Sequence, residues 1–172
     1  MSTVEIVHAD LTSMPVDAIV CPAHKHLTRG QGVSAQLFDL IGPPLVDACS
    51  VLGECQIGEA RLTSAFNLPA KHIIHTVTPQ WSGGDQWVAN TLKLLSQCYE
   101  SVMNLAEQQK IRSIAFPALG AGTNKIPHPL AAHQALEVLQ KYTEKFDRLV
   151  ICLHSDNSLK SWLDTQRKFF PQ

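Results

Sequence analysis

Several things are scarce in this 172-residue chain, and each scarcity removes a class of protein. Net charge is nearly absent: 14 Lys and Arg stand against 15 Asp and Glu. No bulk field is available to hold a polyanion by counterion release, so composition lends no support to nucleic acid as a partner. No apolar run approaches the roughly 18 residues that a membrane span needs, and Met1 to Asp10 lacks the charged and apolar regions of a signal peptide. The expected location is cytoplasmic, with no membrane partner. The five cysteines (Cys21, Cys49, Cys55, Cys98 and Cys152) are odd in number and form no CxxC pair. That excludes both a disulfide framework and a zinc signature and leaves reduced, mostly buried thiols.

Hydrophobic residues make up 45% of the chain and charged ones 17%, with ten prolines and nine glycines spread along it. Neither a disordered nor a collagen-like reading survives that balance. The length suits one domain spanning residues 1–172, able to bury about 70% of its extended surface.

β-branched and alternating runs interleave with helical periodicity, the order of an α/β sheet covered by helices on both faces. Strands are expected at Val4 to His8, Ala18 to Cys21, Ala60 to Phe66, His72 to Val77, Ser113 to Pro117 and Leu149 to His154. Helices are expected at Ser34 to Ile41, Pro44 to Leu52, Trp87 to Gln108, Leu130 to Lys141 and Ser158 to Phe169. In the long one, Leu92, Leu95, Tyr99, Val102 and Ala106 recur every three or four residues and form a core stripe. Ser82-Gly83-Gly84-Asp85 reads as a surface loop.

Two loops stand out, each directly after a hydrophobic strand, where open α/β sheets bind ligands. The first runs from Pro22 to Val33 and contains Gly30-Gln31-Gly32. The second runs from Ala118 to Lys125 and contains Gly120-Ala121-Gly122. Glycine lets backbone N–H groups approach a phosphate, and a following helix adds partial positive charge. Two such loops suggest a diphosphate held between them, although either is also a plausible tight connection. Neither matches GxGxxG or GxxxxGK[ST], which disfavours a dinucleotide-binding Rossmann domain and a P-loop NTPase.

A set of short blocks then adds up to a resemblance. Ala9-Asp10-Leu11-Thr12, Val16 to Val20, Gly30 to Val33, Gly58-Glu59-Ala60, Leu68 to Val77 and Ile114 to Ala118 resemble, in order and spacing, a macrodomain. The resemblance spans about residues 6 to 140. It implies a three-layer α/β/α fold with a mixed, mostly parallel sheet of about six strands. It also implies binding of ADP-ribose, a derivative, or a protein carrying it. No cofactor and no metal are expected.

Carried over residue by residue, the resemblance makes Asp10 the acceptor of the adenine amino group, with the backbone of Leu11 at the ring. A carboxylate suits that role because it only accepts. The competing reading of Asp10 is a turn or cap residue. Ala23, His24, Gly30, Gly32 and Val33 from the first loop, and Leu119, Gly120, Ala121, Gly122, Thr123 and Asn124 from the second, complete the expected ligand-binding set.

The sequence also departs from the family pattern. The NAAN block reads Cys21-Pro22-Ala23-His24, and Ser34 stands where hydrolytic members carry an Asp. Thr123, Asn124 and Lys125 replace an aliphatic residue, an aromatic and a glycine. The phosphate cradle is therefore expected to be kept and the distal-ribose pocket rewritten. A serine hydroxyl without an activating partner is no base near neutral pH, which argues against the usual hydrolytic chemistry.

None of the pairs His24/His26, His72/His75 and His128/His133 has zinc-ligand spacing. His24 remains the candidate catalytic residue, since imidazole works near neutral pH and occupies the ribose-binding asparagine's position. Two alternatives to a binder thus stand: a hydrolase of ADP-ribosyl or O-acetyl-ADP-ribose groups centred on His24, and a degenerate macrodomain serving as a protein-interaction module.

Overall fold

The computed structural model describes residues 3–81, 85–122 and 124–171, and of residues 85–88 only the backbone. Six strands run β1 Val4–His8, β2 Ala18–Pro22, β3 Ala60–Ser64, β4 His72–Thr76, β5 Ser113–Phe116 and β6 Arg148–Leu153. The helices are α1 Val33–Ile41, α2 Pro43–Ser50, α3 Asp85–Gln108, α4 His128–Leu139 and α5 Asp156–Phe169. Every expected strand and helix is present, with ends shifted by at most two residues. The expected loop at Ser82-Gly83-Gly84 lies outside the described residues, and Asp85 opens α3.

The sheet order is β1-β6-β5-β2-β4-β3. All neighbours pair in parallel except the edge strand β3, which is antiparallel to β4. The period of two along each strand divides the core into layers. On β2, Ala18 and Val20 pack with Leu95 and Tyr99 of α3, Ala131 of α4 and Trp162 of α5. Ile19 and Cys21, from the alternate positions, pack with Leu37 and Phe38 of α1 and Leu45 of α2. Ala18 to Cys21 are all fully buried, as a central parallel strand covered on both faces requires. The result is a helix–sheet–helix sandwich.

Of the expected α3 stripe, Leu95, Tyr99, Val102 and Ala106 are completely buried, while Leu92 is half-buried against the same core. All five cysteines are free and buried. At α2, Pro43 and Pro44 occupy the first turn, where no backbone N–H is lost. Among the described residues, no helix is long and apolar enough to cross a membrane.

The topology puts the carboxyl ends of β1, β2, β4, β5 and β6 on one edge. Chain connections leave β2 toward β3 and β4 on one side, while β5 and β6 lie on the other. A crevice opens at such a reversal.

Candidate functional site

Two adjoining clefts occupy that edge. One, of about 300 Å³, is lined by Gln31, Gly32 and Val33 before and at the start of α1, by Pro117 to Ala118 and Gly120 to Gly122 after β5, and by Cys152 to Ser155 at the end of β6 and just past it. The other, of about 520 Å³, is lined by Ala23, His24 and Lys25 after β2, with Gln56, Ile57, Val77 and Gln80. Pro22, Gln31, Thr78 and Asn124 line both.

The N-terminus of α1 opens toward the first cleft with no side-chain cap; its N-cap is Gly32, at φ 59°. Its leading N–H groups therefore lack intrahelical partners and carry the positive end of the helix dipole. Opposite, Gly120 turns at φ 81°, and a Cβ there would fall 2.6 Å from Ile126 Cδ1. Glycine is required at Gly120 by both conformation and packing. Around Gly122 nothing lies within 4 Å of such a Cβ, so that residue faces open space. An anion between α1 and this turn would meet backbone donors from both sides.

Asp10 caps a short 3-10 turn at Leu11–Ser13. Its Oδ1 accepts from the Thr12 N–H at 3.0 Å, the Thr12 hydroxyl at 2.8 Å and the Gln36 amide at 3.4 Å, while Oδ2 accepts from the Ser13 hydroxyl at 3.1 Å. The Thr12 hydroxyl leads the contacts that hold this carboxyl below its ordinary pKa. Oδ2 keeps one lone pair free, so capping and ligand binding are compatible. Ala9 N–H bonds Leu153 O at 3.0 Å, which sets Asp10 beside the end of the cleft formed by β6.

His24 is exposed and its imidazole lies over Gly30, where a Cβ would fall 2.6 Å from Nε2. Gly30 N–H donates to Ser34 Oγ at 3.0 Å, and Ser34 is only 1% exposed. Beside it, burial pushes the Cys21 thiol up to about 12, opposed by a hydrogen bond with Ser34. The Ser34 hydroxyl is thus engaged inside the protein and unavailable to activate a water.

Asn124 joins the two clefts. Its side-chain amide donates to Thr78 O at 3.1 Å, Thr78 Oγ1 at 2.7 Å and Pro79 O at 3.1 Å, and its backbone carbonyl accepts from Trp81 N–H at 2.9 Å. An aromatic ring could not make the side-chain bonds to Thr78 and Pro79.

Of the expected ligand-binding residues, Gly32, Val33, Gly120, Ala121, Gly122 and Asn124 meet in the first cleft, and Ala23, His24 and Asn124 in the second. Gly30 is buried beneath His24. The side chains of Leu11 and Leu119 belong to the core, at 5% and 0% exposure, leaving only backbone for a ligand. Thr123 lies outside the described residues. Gln31, Thr78, His128 and His154 also line the site. Gln31 belongs to the first glycine loop, whereas Thr78, His128 and His154 were outside every motif and reach the cleft through tertiary packing. The strand-end positions of Thr78 and His154, just past β4 and β6, were the available signal.

A family model described as Macro domain matches residues 20–135. A Macro domain-containing protein of Ralstonia nicotianae is 39% identical over 153 residues, covering 89% of this chain and 88% of the relative. An O-acetyl-ADP-ribose deacetylase of Salmonella gallinarum is 39% identical over 149 residues, covering 84% and 82%. Among solved structures, a variant of the Oceanobacillus iheyensis macrodomain with ADPR superposes with a TM-score of 0.88 at 30% identity, covering 97% of this chain and 93% of the other.

Proposed function

The chain belongs to the macro domain family, and from that premise we propose that its edge cleft binds ADP-ribose, free or protein-linked, or a related nucleotide diphosphate. The observation that carries the reading is the pairing of the uncapped α1 N-terminus with the Gly120–Gly122 turn across one cleft. Backbone donors on both walls suit a diphosphate, whose charge is spread over several oxygens. The adenine is assigned to the end near Asp10 and Leu11, and the distal ribose to the second cleft with Ala23, His24 and Asn124. The O. iheyensis macrodomain variant solved with ADPR supports the ligand class.

A thermal-shift titration tests the reading. Ligand at 100 times its Kd stabilises a fold by about 2.7 kcal/mol, so ADP-ribose should raise the midpoint in a concentration-dependent way. An unmoved midpoint at millimolar ADP-ribose would reject the reading and favour the interaction-module alternative.

A second reading concerns chemistry. His24 lines a polar cleft beside the distal-ribose position, and the Salmonella relative is named as a deacetylase of O-acetyl-ADP-ribose. In this reading the imbalance left by Ser34 is met by His24 as general base toward a water. Incubation with O-acetyl-ADP-ribose over a pH series decides it: turnover lost in His24→Asn supports the hydrolase, and no turnover by the wild type leaves the binder.

A further inference from the structure

The end of the first cleft nearest β6 contains an imidazole whose tautomer is fixed from behind. Trp162 is completely buried on α5, and its Nε1–H donates to His128 Nδ1 at 3.1 Å. An indole N–H only donates, so Nδ1 must be the accepting, unprotonated nitrogen and the neutral ring carries its proton on Nε2. Protonating Nδ1 would set one N–H against another in the interior. Burial, with nearby His154 adding to it, holds His128 below the ordinary histidine pKa. Among the described residues no protein group accepts from Nε2, and the ring lines the cleft.

The neighbouring hydroxyls are already committed. Ser155 and Ser158 Oγ atoms lie 2.6 Å apart, and Ser158 Oγ donates to Ser155 O at 3.0 Å. His128 therefore brings to this corner a fixed donor with no internal partner. On the reading given above, this corner receives the adenosine, because Leu153 there is bonded to Ala9 next to Asp10.

We propose that His128 Nε2–H donates a hydrogen bond to an acceptor atom on the nucleoside half of the ligand and is a specificity-determining residue of the cleft. The proposal rests on the nucleotide-binding reading. It adds a contact that favours groups able to accept at this corner and penalises groups that donate there.

The experiment titrates wild type, His128→Leu and His128→Gln with ADP-ribose and with inorganic pyrophosphate, alongside ¹⁵N spectra of the histidine ring. Leucine should weaken ADP-ribose about 3- to 10-fold, the range for one net hydrogen bond, and leave pyrophosphate unchanged. It should also lower the melting midpoint, since the Trp162 N–H loses its acceptor. Glutamine offers an oxygen to Trp162 and an amide N–H to the cleft, and should recover most of both losses. In the wild type the His128 ring should report protonation at Nε2, with that signal shifting on ADP-ribose but not on pyrophosphate. Unchanged ADP-ribose affinity in folded His128→Leu, or an Nε2 signal indifferent to bound ADP-ribose, would overturn the proposal while leaving nucleotide binding intact. A wild type that binds no ADP-ribose would overturn the underlying reading and this proposal with it.

Discussion

Replacing Asp10 with asparagine separates its two roles. Asparagine caps a helical turn about as well as aspartate, so the Leu11–Ser13 turn should survive. The amide oxygen can take over Oδ1's bonds from Thr12, at 3.0 and 2.8 Å, while the NH₂ group replaces Oδ2. An adenine amino group arriving at that position would then meet a donor instead of an acceptor. A hydrogen bond to a charged group contributes about 1.5 to 3 kcal/mol, and the lower end applies because Asp10 is exposed in the free protein. Asp10→Asn should therefore weaken ADP-ribose about tenfold by calorimetry, with a melting midpoint within a degree or two of wild type. Asp10→Ala should lose similar affinity and also about 1 kcal/mol of stability, through the lost cap. Inorganic pyrophosphate, which has no adenine, should bind all three proteins equally. Asp10→Asn with wild-type affinity for ADP-ribose would refute the adenine contact. An equal loss for pyrophosphate would show that Asp10 acts through the fold.

The other predictions rest on separate parts of the structure. Gly122→Glu should fold normally, because its side chain enters open space, yet abolish ADP-ribose binding by setting a like charge in the diphosphate volume; retained affinity would remove the turn from the site. Gly120→Ala should instead destabilise by about 1 to 3 kcal/mol, read by urea unfolding, because both φ 81° and the contact with Ile126 oppose a Cβ. His75 is buried, bonded to Thr63 Oγ1 at 2.9 Å, and burial lowers its pKa to about 4. The unfolded chain binds that proton near pH 6.5, so this contribution is present above pH 6.5 and is lost as pH falls toward 4. Unfolding free energy should be about 2 kcal/mol lower at pH 5 than at pH 7, and His75→Gln should flatten that slope; an unchanged slope would show that other groups govern it.

How far the sequence revealed this molecule depended on the range of the interactions involved. Strand and helix positions were legible because burial imposes local periods, as in the Leu95-Tyr99-Val102-Ala106 stripe and the alternation of Ala18 to Cys21 between two core layers. The antiparallel course of β3 was not, since Ala60–Ser64 carries no residue pattern that encodes direction. Gly120 and Gly32 were legible as glycines after strands, but the sequence did not show that Gly122 is open while Gly30 lies under His24. The Asp10 cap was one of two readings open from the sequence, since Asp is a preferred N-cap residue. His128 was visible only as a member of a pair with the wrong spacing for zinc. Its partner Trp162 is 34 residues away, on another helix, and only packing brings the two rings together.

Amide chemical shifts measured during an ADP-ribose titration report directly on occupancy of the edge cleft by the ligand. The expected changes concentrate at the N–H groups of Gly32 and Val33, of Gly120 to Gly122, and of Leu11 and His154, saturating with one ligand per chain. Shifts confined to the surface helices α1 and α2 away from Gly32, or no shifts at millimolar ligand, would contradict it.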